Sequence, residues 1–79
     1  MIEVINAKYI DNYNIWLEFN DGKKGVADLE DTLWGQIFEP LKNKETFKNF
    51  KISETLGTIC WQNGADLAPE YLYDILIKH

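Results

Sequence analysis

The chain has 79 residues, room for one domain with a compact core, since a chain this short buries only about 60% of its unfolded surface. Hydrophobic residues make up 46% and include three Trp, four Tyr and four Phe, which excludes a disordered chain and suits one packed layer of helix on sheet. Thirteen acids face eight Lys and no Arg, a net charge of −5 that argues against direct nucleic-acid binding: the guanidinium fork is missing and an acidic surface is repelled by the phosphate backbone.

Cys60 stands alone and cannot form an internal disulfide, so a cytoplasmic location is expected. The opening Met1-Ile2-Glu3-Val4 has neither the basic segment nor the apolar run of a secretory signal. No stretch approaches the roughly 18 apolar residues of a membrane span, and no membrane association is expected.

Ile2 and Val4, then Ala7 and Tyr9, form two alternating sets that change phase near Ile5, which predicts a first strand with a bulge. Asp11-Asn12 turns the chain. Tyr13, Ile15, Leu17 and Phe19 alternate with Asn14, Trp16, Glu18 and Asn20, a strand over residues 13–20 with one buried face. Asn20-Asp21-Gly22-Lys23 closes a hairpin in which Gly22 tolerates positive φ, and Lys24 to Leu29 returns antiparallel. A three-stranded meander is therefore predicted.

From Glu30 the period changes. Asp31 or Thr32 is the expected cap of a short helical segment bearing Leu33, Trp34, Ile37, Phe38 and Leu41, limited by Gly35 and Pro40 and laying Trp34 and Phe38 across the sheet. Asn43 reads as the cap of a second short helix, Lys44 to Phe50, that buries Phe47 and Phe50. Lys51 to Glu54 predicts a fourth strand and Gly57 a turn into a fifth, where Thr58, Cys60 and Gln62 alternate with Ile59 and Trp61. Asn63-Gly64 is a turn dipeptide, and Pro69-Glu70 opens a helix with Leu72, Ile75 and Leu76 on its core face. The predicted fold is α+β over residues 1–79: an antiparallel three-stranded meander, a second short hairpin, and two or three short helices.

Nucleophilic catalysis needs a base near the nucleophile, and the lone His is His79, the last residue. Cys60, between Ile59 and Trp61, reads as a small buried hydrophobe. One Cys and one distant His do not make a zinc set, and Asp28, Glu30 and Asp31 lack the spacing of a calcium loop, so neither metal nor cofactor is expected. Asp66, between the Asn63-Gly64 turn and Pro69, is placed to accept backbone N–H groups as a helix cap.

Residues 42–51 carry Lys42, Lys44, Lys48 and Lys51 against Glu45, a local +3 that leaves −8 on the remainder. Trp16 and Glu18 face away from the apolar side of the second strand, and Trp16 with Tyr9 or Trp34 would form an exposed apolar patch. The candidate interaction surface is accordingly Trp16, Glu18, Lys42, Lys44, Lys48 and Lys51. Asp21, Gly22, Asn63, Gly64, Asp66 and Pro69 are assigned to turns and caps.

Several blocks together resemble a known bacterial family: Phe19-x-Asp21-Gly22, Val26-x-Asp28-Leu29, Gly35-x-Ile37-Phe38-x-Pro40-Leu41, Phe47, and above all Gly57-Thr58-Ile59-x-Trp61-x-Asn63-Gly64-Ala65-Asp66-Leu67-Ala68-Pro69-Glu70-x-Leu72-Tyr73. The sequence is similar to the domain-of-unknown-function family 2442 over nearly its whole length, with Gln62 where that family commonly has Pro. The resemblance implies a small α+β fold without an assigned active site. It also implies a gene often placed beside that of another small protein, in arrangements that look like toxin–antitoxin pairs. Some relatives append a helix-turn-helix domain, and no such segment stands in these 79 residues.

Composition and resemblance together predict a non-catalytic interaction domain, the antitoxin-like partner of a small basic toxin, with binding through a sheet edge or the Trp16 face. A small protein partner is expected, and a homodimer through a free strand edge is compatible with it. The alternative is a small enzyme or ligand-binding domain using the carboxylates Asp28 and Asp66, which requires the two to share a cleft.

Overall fold

In the computed structural model, which describes residues 1–76, β1 (Val4–Asp11), β2 (Asn14–Phe19) and β3 (Lys24–Asp28) form an antiparallel meander in that spatial order. Register follows from alternation: Ile15 lies between Tyr9 and Ala27, and Leu17 between Ala7 and Gly25, so one face collects apolar groups. Ile15, Leu17, Phe19 and Ala27 are completely buried on that face. The opposite face carries Trp16 between Lys8 and Val26, and Glu18 between Asn6 and Lys24. The phase change at Ile5 is a genuine irregularity: pairing steps from Val4–Phe19 to Asn6–Glu18 and leaves Ile5 unmatched and exposed.

Both hairpin turns use the residues that tolerate them. Asn12 adopts φ 44° between β1 and β2, and Gly22 adopts φ 93° between β2 and β3, where Asp21 Oδ1 accepts the Lys23 N–H at 2.9 Å. A second, two-stranded sheet pairs β4 (Lys51–Ser53) with β5 (Thr58–Cys60). Gly57 joins the sheets: its oxygen accepts the Val4 N–H at 2.8 Å, its φ is +66°, and a Cβ there would meet Glu3 Cγ at 2.9 Å.

The segment between the sheets departs from the predicted helix. Two 3-10 turns, Glu30–Thr32 and Glu39–Lys42, replace it, and the first starts from Leu29 with no side-chain cap, so Asp31 and Thr32 lie inside the turn they were expected to cap. Gly35, at φ +89°, breaks any continuous helical face. Leu33 and Leu41 are buried, whereas Trp34 is 74% exposed and does not lie across the sheet; Phe38 is partly buried against the core. Helix α1 (Lys44–Phe47) is a single turn, shorter than the predicted stretch to Phe50, and Asn43 caps it as expected by accepting the Thr46 N–H at 3.2 Å.

Phe47 is the centre of the core, with the Tyr13 ring edge-on at 5.3 Å, Tyr9 at 6.2 Å and Trp61 tilted at 5.8 Å. Trp61 Nε1–H donates to Phe47 O at 2.7 Å, and Thr58 Oγ1 donates to Leu67 O at 2.6 Å, so the buried polar groups of β5 and its continuation are satisfied. Past β5 the chain turns at Trp61–Gly64, where the Gly64 N–H donates to Trp61 O, then returns so that Asp66 bridges Cys60. Helix α2 (Pro69–Ile75) buries Leu72, and Leu76, its C-cap, is buried as the described chain ends. The architecture is the predicted α+β one: a meander, a hairpin and short helical pieces around one apolar cluster.

Candidate functional site: an apolar groove between two segments

Because Gly35 turns the chain outward between two buried leucines, the stretch from Thr32 to Phe38 is anchored at Leu33 and Leu41 but presents its middle to solvent. The Gly35 oxygen accepts the N–H groups of Phe38 and Glu39, which shapes this stretch into a firm loop. Opposite it runs the extended chain Asp66–Ala68 and the first turn of α2, fixed to the core by Leu67, Leu72 and the Thr58 hydroxyl. The groove between them has a volume of about 570 Å³. Trp34, Gly35, Ile37 and Phe38 line one wall; Asp66, Leu67, Ala68 and Tyr71 line the other.

Two hydrogen bonds join the walls. Thr32 Oγ1 and the Tyr71 hydroxyl lie 2.7 Å apart, and Asn63 Nδ2 donates to Ile37 O at 2.9 Å. Asn63 Oδ1 also accepts the Ala65 N–H at 3.1 Å, so one amide shapes its own turn and holds the opposite wall. The exposed apolar side chains of the groove are large: Trp34 at 74%, Ile37 at 47% and Tyr71 at 42%. Asp66 is the charged residue among those lining it.

The residues singled out from sequence are distributed differently. Trp16 and Glu18 project from the meander face opposite the core, whereas Lys42, Lys44 and Lys48 belong to the segment that packs on the core side through Phe47. Tyr9 also faces the core and Trp34 lines the groove, so neither joins Trp16 in a patch. The lysine cluster is partly neutralised by neighbouring acids: Lys42 pairs with Glu39 at 3.2 Å, Lys48 with Glu45 at 3.1 Å, and Lys44 donates to Asn12 Oδ1 at 3.3 Å and lies 5.6 Å from the Tyr13 ring centre. Lys51 opens β4 and is exposed.

Asp28 and Asp66 are not brought together. Asp28 Oδ1 accepts the Glu30 N–H at 3.0 Å in a local turn beside Asn12, Asn14 and Lys44, while Asp66 lines the groove. Nor does Asp66 cap α2, contrary to expectation. The cap position is Ala68, without a side-chain bond, two residues beyond Asp66, and the Asp66 residue lines the groove instead. Asp21 and Gly22 do serve the turn assigned to them, as do Asn63 and Gly64, and Pro69 opens the helix. Cys60 is half-buried, not fully buried, and shares a cleft with Phe50, Trp61, Lys48 and Lys51. His79 lies outside the described residues. Among the described residues, no group of three or more His, Cys, Asp or Glu is placed to hold a metal, and no helix is long and apolar enough to cross a membrane.

Asp21 forms the other notable polar cluster. Its Oδ2 accepts the Tyr73 hydroxyl at 2.6 Å, while Lys23 Nζ stands 3.9 Å over the Tyr73 ring and 3.4 Å from Tyr73 O. The Tyr73 hydroxyl, and then the Lys23 N–H, hold the Asp21 carboxyl below its ordinary 3.8. The same hydrogen bond raises Tyr73 above its ordinary 10.0, so the two shifts are one interaction seen from both ends.

A family model described as "Protein of unknown function (DUF2442)" matches residues 4–78. The chain belongs to this family. No curated protein and no solved structure matches it. Of the DUF2442 blocks set out above, Gly35-x-Ile37-Phe38 builds one wall of the groove and Asp66-Leu67-Ala68 the other, with Asn63 tying them. Thr32, Trp34 and Tyr71 complete the lining, Trp34 directly before the first of these blocks and Tyr71 at the open position between Glu70 and Leu72. Sequence reasoning missed the groove because Leu33, Ile37 and Leu41 fit a helical stripe; the available signal was Gly35 in the middle of that stripe.

Proposed function

We propose that this chain is a non-catalytic protein–protein interaction domain whose partner is a small basic protein, in the manner of an antitoxin neutralising a toxin encoded beside it. The observation that carries the reading is the groove, where a Trp, an Ile and a Tyr remain exposed on a firm, doubly hydrogen-bonded scaffold beside a carboxylate. Exposed aromatic groups held on rigid backbone are the usual anchors of protein interfaces, because they bury much area with little loss of side-chain freedom. A net charge of −5 favours a basic partner and speeds its encounter.

Co-expression with the product of the adjacent gene tests this directly. The expected result is a complex that survives purification at micromolar concentration and weakens as salt is raised, and a neighbour that is harmful when expressed alone. Two proteins that stay separate, with a neighbour harmless by itself, overturn it.

A further inference from the structure

The two segments that build the groove are unusual in charge. Residues 25–41 contain Asp28, Glu30, Asp31 and Glu39, residues 52–77 contain Glu54, Asp66, Glu70 and Asp74, and neither contains a Lys. Asp28 and Glu30 lie in a separate cleft beside Lys44, Glu39 pairs with Lys42 and Glu54 lines a cleft with Glu3. Asp66, however, lines the groove itself, and Asp31 and Glu70 directly adjoin Thr32 and Tyr71 in sequence, so the groove's own charge is acidic, with the electron-rich faces of Trp34 and Tyr71 beside it. The outer face of the meander differs: Trp16 there is flanked by Lys8, and Glu18 by Lys24, so its charges are mixed.

Resting on the interaction reading above, we infer that the groove takes a partner segment carrying one Lys or Arg between apolar residues, the cation lying against Trp34 and Tyr71 and pairing with Asp66. Apolar flanks cover Ile37 and Phe38, and the charge supplies the specificity. A groove of apolar side chains alone accepts any greasy segment, whereas the Asp66 carboxylate is left unpaired beneath a neutral one. The chain itself places a lysine over a tyrosine ring beside a carboxylate once, where Lys23 lies over the Tyr73 ring, although there Asp21 accepts the ring's hydroxyl in place of the cation. Tyr71 is suited to this role because its hydroxyl bond to Thr32 fixes the ring before any partner arrives.

The test is a titration of isotope-labelled protein, followed by backbone and indole N–H resonances, with acetyl-Leu-Arg-Leu-amide and with its citrulline and Glu counterparts. The expected result is shifts at Gly35, Ile37, Leu67, Ala68 and the Trp34 indole, with the Arg peptide binding about three- to fivefold tighter than the citrulline peptide and the Glu peptide weakest. Asp66→Asn abolishes the preference for Arg, Trp34→Ala weakens the Arg peptide about two- to fivefold, and Asp28→Asn, in a different cleft, changes neither. The spectrum of each variant shows that it remains folded. Equal affinity for the Arg and citrulline peptides overturns the basic anchor while leaving the interaction reading standing. Shifts confined to Trp16 or to the Lys48 cleft, or no shifts, overturn the groove as the site. If the peptides bind as expected but the adjacent gene product does not co-purify, the toxin-like partner falls and the anchor stands.

Discussion

Trp61 does two jobs with one side chain. Its ring fills the core beside Phe47 and Phe50, and its Nε1–H supplies the Phe47 oxygen with a buried partner at 2.7 Å. Trp61→Phe keeps an aromatic ring but removes the donor and part of the volume, so urea unfolding is expected to show a loss of about 3 kcal/mol. Gln62 invites the opposite change. It occupies the second position of the Trp61–Gly64 turn, where Pro pre-sets φ and the N–H is not needed by the turn hydrogen bond. Gln62→Pro is expected to stabilise the protein by about 0.5–1 kcal/mol, read as a rise of several degrees in Tm; an unchanged or lower Tm counts against this account of the turn. At this scale the sequence was readable wherever the cause was local. Asn43 as a cap, Gly22 and Asn63-Gly64 as turns and Ile5 as a bulge all follow from their immediate neighbours. Trp34 and Asp66 were misread because their surroundings depend on where the backbone goes several residues later.

Among the elements, the β2–β3 turn and α2 are joined by the Asp21–Tyr73 bond and by Lys23 over the same ring. The carboxyl is depressed in the folded protein, so its contribution to stability is present above the ordinary 3.8 and fades as pH falls through the lower folded value. The hydroxyl is raised, so its contribution is present below 10.0 and fades as pH rises through the higher folded value. Tyr73→Phe, which keeps the ring against Phe19, is expected to be less stable than the parent across the range between, and to converge with it at both extremes. Urea midpoints measured against pH decide this; a difference that persists unchanged into acid places the effect elsewhere. Strands were legible at this scale because alternation over Asn14–Phe19 has one solution, with Ile15, Leu17 and Phe19 inward. Residues 30–42 were not, since Leu33 and Leu41 can be buried by two short 3-10 turns as well as by a helix, and a periodic pattern does not distinguish them.

For the molecule as a whole, the meander and hairpin fix where the groove lies, but its walls come from residues about thirty positions apart. Nothing local in either wall announces the other: the bond from Asn63 to Ile37 and the bond between Tyr71 and Thr32 exist only once both sheets are packed on Phe47. That is why the family resemblance was readable in the sequence and the groove was not. The lack of Lys in both walls was equally visible as letters, yet it bears on a partner only because the fold sets Asp66 beside Trp34 and Tyr71.

Asn63 also has a chemical lifetime. An Asn followed by Gly is the pairing in which the side-chain carbonyl is most open to attack by the next backbone nitrogen, and Asn is among the residues that heat destroys. Here the attacking nitrogen, that of Gly64, is engaged with Trp61 O, while both ends of the Asn63 amide are held by Ile37 and Ala65. The amide that ties the groove together is protected by the ties it makes. Deamidation at this position therefore belongs to opened molecules, and each event replaces a donor to Ile37 with a carboxylate oxygen that the same carbonyl repels, so covalent ageing and loss of the groove proceed as one process.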